Sequence, residues 1–102
     1  MIFQPLNVSE DPVIELSRWS IRSAVDENGE KSSHFVGVAD GYGRVSSSII
    51  EWKSSTEALT GSGRIYKLVG MEGHSMDAEY VWSKWLKFNQ LMEEMYDRTS
   101  SN

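Results

Sequence analysis

Residues 75–96 have the sequence SMDAEYVWSKWLKFNQLMEEMY and contain neither glycine nor proline, so a helix can run through them without interruption. At about 100° per residue, their bulky apolar side chains gather on one side of a helix. This stripe consists of Ala78, Val81, Trp82, Trp85, Phe88, Met92 and Tyr96. Ser75 is placed to cap the helix, and Asp77 and Glu79 fall in the first turn, where the helix dipole favours anions. The pattern predicts one amphipathic helix over residues 76–96, packed on a sheet through its tryptophans.

The chain before this helix consists of short alternating segments separated by turns rich in glycine, serine and asparagine. Residues 19–25 alternate apolar and polar side chains with a period of two, which indicates a half-buried strand. Leu16 is out of phase with Trp19, so we expect either a bulge or the start of a strand near Ser17. Further strands are predicted over residues 33–39, 44–52, 58–60 and 64–69. The fold class is therefore α+β, an antiparallel β-meander of four to five strands packed against one long C-terminal α-helix.

The length of 102 residues suits a single domain. Residues 1–12 contain Pro5 and Pro12 around several apolar side chains, and we expect them to form an extended strap over an edge of the core. Residues 97–102 are polar, and we expect a disordered tail there.

The composition excludes several function classes. The chain has no cysteine, which rules out disulfide frameworks, cysteine-based zinc sites and thiol catalysis. No secretory signal and no apolar run of membrane-spanning length is present, so we expect a cytoplasmic protein without a membrane partner. The formal net charge of −5 weighs against nucleic acid as a partner.

The loop before the helix is the strongest candidate for chemistry. Backbone N–H groups at the helix start, together with His74, could hold an anion, but Ser75 as a cap satisfies the same groups more simply. His34 and His74 are the only histidines, and neither has a second ligand at metal-binding spacing. We predict no metal, no cofactor and no enzyme activity; a small enzyme or anion-binding protein centred on His74 ranks third among the functions considered.

The helix carries more apolar surface than one sheet needs, because Tyr80, Leu86 and Leu91 lie outside the main stripe. Three explanations compete: the N-terminal strap covers this flank, the helix pairs with its copy in a homodimer, or the flank receives a partner protein. For the last case the predicted partner-binding residues are Tyr80, Leu86, Lys87 and Leu91.

The alternative function is nucleic-acid binding through a sheet face rich in arginine and serine. Charge and stacking on such a face could hold RNA or single-stranded DNA. The residues predicted for this role are Arg18, Arg22, Arg44 and Arg64.

Three segments carry a resemblance: GRVSS at 43–47, GRIYKLVG at 63–70 and DAEYVW at 77–82. In these the chain resembles small uncharacterised proteins of proteobacteria and their phages. The resemblance implies a bacterial or phage setting and transfers no catalytic residue. We therefore expect a non-enzymatic protein-binding module, of the kind that a phage or prophage uses to modulate or inhibit a host protein by occlusion.

Overall fold

A computed structural model of the protein describes residues 13–93. These residues form a sheet and one helix near the C-terminus, which confirms the predicted α+β class. The elements in chain order are β1 (Val13–Val25), β2 (Lys31–Ala39), β3 (Tyr42–Val45), β4 (Ile49–Trp52), β5 (Glu57–Thr60), β6 (Ile65–Leu68), α1 (Met76–Phe88) and β7 (Met92–Glu93). The expected strap over residues 1–12 and the expected tail over residues 97–102 lie outside the described residues.

The sheet has the strand order β3-β2-β1-β6-β5-β4, with β7 paired to the end of β1. It consists of two antiparallel meanders, β1–β3 and β4–β6, joined by a parallel pairing of β1 with β6. The sequence predicted antiparallel pairing alone, because no segment was long enough for a crossover helix. The four strands between β1 and β6 supply the long connection that a parallel pair requires.

A bulge in β1 lets one strand serve both meanders. Ser17 pairs with Val38 and Ser20 pairs with Val36, so two residues of β1 stand opposite Gly37 alone. A Cβ at Gly37 would lie 2.7 Å from the carbonyl oxygen of Ser17, and therefore only glycine fits opposite the bulge. Of the two predictions for the region near Ser17, the bulge is confirmed and the strand start is wrong, because β1 already begins at Val13. It also shifts the alternation of β1, so that Leu16 and Ala24 are buried in different cores.

Two apolar clusters hold the domain together. The sheet core lies between the two meanders and contains Ile14, Leu16, Phe35, Ala58, Tyr66 and Leu68. The helix core lies between the first meander and α1 and contains Ala24, Val36, Ala78 and Trp82. The neighbours Phe35 and Val36 of β2 are both buried, one in each cluster, because successive side chains of a strand point to opposite faces.

The helix is shorter than predicted and ends at Phe88. Gln90 adopts φ 58°, its N–H donates to the carbonyl of Lys87, and the N–H of Leu91 donates to the carbonyl of Leu86. These two bonds form a Schellman motif, which usually places glycine where Gln90 stands. Continuation of the helix through residue 93 was therefore a wrong prediction. The chain turns back instead and pairs β7 with β1.

The strand predicted over residues 44–52 is in fact two strands, β3 and β4, separated at Ser46–Ser48. Ser46 is responsible for the break: its N–H donates to the carbonyl of Phe35, and its Oγ accepts from the N–H of Phe35, each at 2.9 Å. The side chain thus occupies the place of the next backbone acceptor in the ladder. The chain stops pairing with β2 at this point, after β3, and continues into β4, the first strand of the second meander.

Candidate interaction surface

The start of α1 is fixed on β3. Ser75 caps the helix as predicted, with its Oγ accepting from the N–H of Ala78. The carboxylate of Asp77 accepts from the N–H of Gly43 at 2.6 Å. A Cβ at Gly43 would lie 2.7 Å from the backbone oxygen of Asp77, so the absence of a side chain allows this close approach. These contacts determine which side of the helix faces the sheet.

The inner side of α1 is centred on Trp82, which is 2% exposed. Trp85 is half-buried and stacks on Trp82 with the ring centroids 5.4 Å apart. The two tryptophans thus face the sheet as predicted, but Phe88 does not and is 87% exposed. At about 100° per residue, Phe88 lies about 120° from Trp82, whereas Leu86 lies about 40° away and packs on the helix core.

His34 lies beneath these tryptophans and is 2% exposed. Its ring centroid is 4.5 Å from that of Trp85, in an edge-on arrangement. Nδ1 is 2.9 Å from the carbonyl oxygen of Ser46 and must donate to it, because a carbonyl only accepts; Nε2 then accepts from Ser32 Oγ at 2.7 Å. Burial lowers the pKa of His34 below its usual value. The residue is therefore a neutral part of the helix core.

Arg22 clamps three elements together. Its two terminal nitrogens donate to Glu79 of α1 at 2.7 and 2.9 Å, and its Nε donates to Glu93 of β7 at 2.9 Å. Trp82 Nε1 donates to the other oxygen of Glu93 at 3.1 Å. The hydrogen bond from Arg22 is the main cause that lowers the pKa of Glu79. The sequence analysis missed this clamp, since its members are far apart in the chain.

The arginines of the nucleic-acid alternative do not share an open face. Arg22 lies under the helix, whereas Arg44 lies on the opposite side of the first meander and donates to the hydroxyl of Tyr66 at 2.8 Å. Arg18 is exposed in the β1 bulge, and Arg64 is half-buried just before β6. Nucleic-acid binding remains a prediction, and the structure places two of its four residues in internal contacts.

The outer side of α1 carries a row of exposed side chains, which we call the outer ridge: Met76, Tyr80, Lys84, Lys87 and Phe88. These positions lie about 120–160° from Trp82 around the helix. Met76 is 90% exposed and Tyr80 is 59% exposed. The Lys84 ammonium lies 5.5 Å from the centroid of the Tyr80 ring, within reach of a cation–π contact.

The four predicted partner-binding residues divide between the two sides of the helix. Tyr80 and Lys87 belong to the outer ridge. Leu86 and Leu91 are half-buried and pack against the helix core instead. The pattern overlooked Met76, Lys84 and Phe88, although their spacing from Tyr80 in multiples of four residues could have revealed a common row.

The outer ridge is positively charged. Among residues 13–93 the ion pairs involve Arg22, Lys53 and His74 as cations, and neither ridge lysine takes part in one. The helix has two acids, of which Glu79 faces Arg22 and Asp77 accepts from the N–H of Gly43. The ridge thus presents two ammonium groups between apolar side chains, on a chain whose net charge is −5.

Other site types find less support. His74 is exposed and lies 3.4 Å from Glu79, which Arg22 already holds. A cleft of about 220 Å³ and another of about 310 Å³ flank the first half of β1, and His74 lines neither. In the described part of the chain, no three His, Cys, Asp or Glu residues are grouped to hold a metal, and no helix is long and apolar enough to cross a membrane.

Comparison with protein-family models, with curated proteins and with solved structures finds no match to this chain. The function must therefore be inferred from the surface chemistry of the molecule. Within residues 13–93, the outer ridge brings exposed large apolar side chains and two lysines without ion pairs together on one element.

Proposed function

We propose that this protein is a non-enzymatic protein-binding module and that the outer ridge is its contact surface. The observation that carries the proposal is the exposure of Phe88, Tyr80 and Met76 in one row on a helix whose opposite side packs on the sheet through Ala78 and Trp82. Aromatic residues and methionine are enriched in protein interfaces, and contiguous exposed apolar side chains mark interaction sites. The ridge residues are not needed for the helix core, which Ala78 and Trp82 already fill.

The helix offers this ridge in a fixed position. The ion pair of Arg22 with Glu79 attaches the first turn of the helix to β1, and the Asp77–Gly43 bond attaches that turn to β3. The hydrogen bond from Trp82 to Glu93 attaches the middle of the helix to β7. A rigid surface loses little conformational entropy on binding, so the free energy of contact goes into affinity. This supports a partner-binding role over a purely structural role for the helix.

Occlusion is the mode of action that we propose for this surface, because exposed aromatic and methionine side chains can cover a partner's surface without a chemical step. A phage- or prophage-type modulator of a host protein would act in this way, and that setting is part of the proposal. Localisation in the cytoplasm belongs to the same proposal. The identity of the host protein is a matter for experiment.

Site-specific crosslinking tests the proposal. A photo-reactive amino acid replaces Ser83, which is exposed beside the ridge, or Ser54, which is exposed after β4. We expect a defined crosslinked protein from position 83, lost when Phe88→Ala and Tyr80→Ala are combined, and retained in the control Ile50→Ala, which removes an exposed apolar side chain from β4. The same products from both positions would contradict the proposal.

A further inference from the structure

We infer that the partner surface seated on the outer ridge is an acidic amphipathic helix, an inference that rests on the proposed function. Tyr80, Lys84 and Phe88 follow one another at intervals of four residues, each step about 6 Å along the axis. Side chains at this interval form a continuous ridge, and such ridges pack into the grooves between side chains of a second helix. The ridge therefore has the shape that a helical partner accepts.

The backbone of α1 argues against an extended partner strand. A strand that adds to a protein surface needs open backbone N–H and C=O groups. The groups of α1 are used within the helix, and its ends are closed by Ser75 and by the Leu91–Leu86 bond. Recognition at the outer ridge is accordingly made by side chains alone, as it is between two helices.

Charge selects the partner's chemistry. Lys84 and Lys87 lie between the apolar anchors, so they are partly desolvated when a partner covers Phe88 and Tyr80. Burial of a charge without a counter-charge is unfavourable, and carboxylates on the partner remove that cost. A partner helix with Leu-type side chains in the centre and Asp or Glu at its edges satisfies both features of the ridge.

A second copy of this chain is a poor match to the apolar side chains and lysines of the outer ridge. In a two-fold pair that sets Tyr80 of one copy against Phe88 of the other, Lys84 lies against Lys84, since it is midway between them. Like charges across an interface oppose association, and both copies also carry a net charge of −5. At the position of Lys84, an acidic partner is attracted, whereas a second copy of the chain is repelled.

Two synthetic helical peptides test the inference with the full-length protein. Both are 18 residues long and share one leucine–alanine face; the acidic probe has glutamate at the flanking positions, and the basic probe has lysine. We expect the acidic probe to bind at least tenfold more tightly by fluorescence anisotropy at low salt, and to weaken as salt rises. The variant K84E/K87E reverses the preference, because the sign of the ridge is inverted.

The control variant K53E/K67E makes the same change in net charge at two exposed lysines away from the helix, one just after β4 and one in β6. It should keep the preference for the acidic probe. Equal effects of the two double variants, or equal affinity of the wild type for both probes, would overturn the inference. Circular dichroism verifies that each variant is folded.

A negative result of the peptide test is distinguishable from failure of the proposed function. If a crosslinked partner depends on the ridge but the protein does not prefer the acidic probe, the binding module is supported and the acidic helix is ruled out. Sedimentation tests the other occupant: a dimer that Phe88→Ala converts to a monomer would show that a second copy covers the ridge, and the inference would be wrong.

Discussion

Replacing Arg22 by alanine is the most informative perturbation of this fold, because it removes the cation shared by two acids. Glu93, which accepts from Trp82, would lose its counter-charge, and Glu79 would keep only the exposed His74 at 3.4 Å. Breaking a fully buried pair costs about 3–5 kcal/mol, whereas an exposed pair contributes about 0–1 kcal/mol. The Arg22 side chain is 17% exposed and the two carboxylates are 39% and 37% exposed, so the pairs lie between these limits.

We therefore expect Arg22→Ala to lower the free energy of unfolding by about 2 kcal/mol. In a domain of this size, that loss corresponds to a fall in Tm of about 8–16 °C. Urea titration followed by tryptophan fluorescence measures it, since Trp82 lies at the clamp. Lys67→Ala is the matched control, because it removes one positive charge from an exposed position on β6.

A double-mutant cycle separates the ion pairs from simple loss of packing. With Glu79→Gln and Glu93→Gln already in place, the carboxylates are neutral and Arg22→Ala should cost much less than in the wild type. The reasoning is refuted if Arg22→Ala costs no more than Lys67→Ala. It is also refuted if the cost is the same in both backgrounds, because the coupling would then be zero.

Three further predictions concern single contacts. Gly43→Ala should lower the free energy of unfolding by about 1–3 kcal/mol in urea titration, because its Cβ would meet the helix backbone; Gly61→Ala, with ordinary contacts, should change little. Because the pKa of His34 is lowered in the folded state, the free energy of unfolding of the wild type should fall as pH drops below 6.5, the pKa of histidine in the unfolded chain. This pH dependence should be lost in His34→Gln and retained in His74→Gln. Phe88→Ser should leave Tm within the error of the measurement, since that side chain contributes nothing to the core.

Local patterns predicted the parts of the fold that local physics determines. The Ser75 cap, the inward tryptophans and the bulge after Ser17 each depend on residues close together in the chain. The alternation of period two located β2 and the second half of β1, residues 19–25, because one face of a half-buried strand must be apolar. It did not indicate residues 13–18 as part of β1. The same rule failed for the region around Ser46, where a side chain replaces a backbone partner in the ladder.

The wrong predictions concern features of the fold that depend on residues far apart in the chain. The helix was extended beyond Phe88 because a non-glycine residue rarely ends a helix in the left-handed conformation that Gln90 adopts. The strain of that turn is compensated when β7 places Glu93 beside Arg22, a contact between residues 71 positions apart in the chain. No window of sequence contains both residues, and so no local pattern could have predicted the helix end.

The helix end and the chemistry of the candidate surface have one origin. Because the chain turns back after Phe88, Glu93 lies under the helix and not on its outer side. Glu79 is held in the same clamp by Arg22. Among the described residues, Glu79 and Glu93 are thereby paired with Arg22, whereas Lys84 and Lys87 lie beside the exposed aromatic rings. A net-acidic chain acquires a basic, apolar ridge in this way, which explains why composition alone could not indicate the chemistry of this surface.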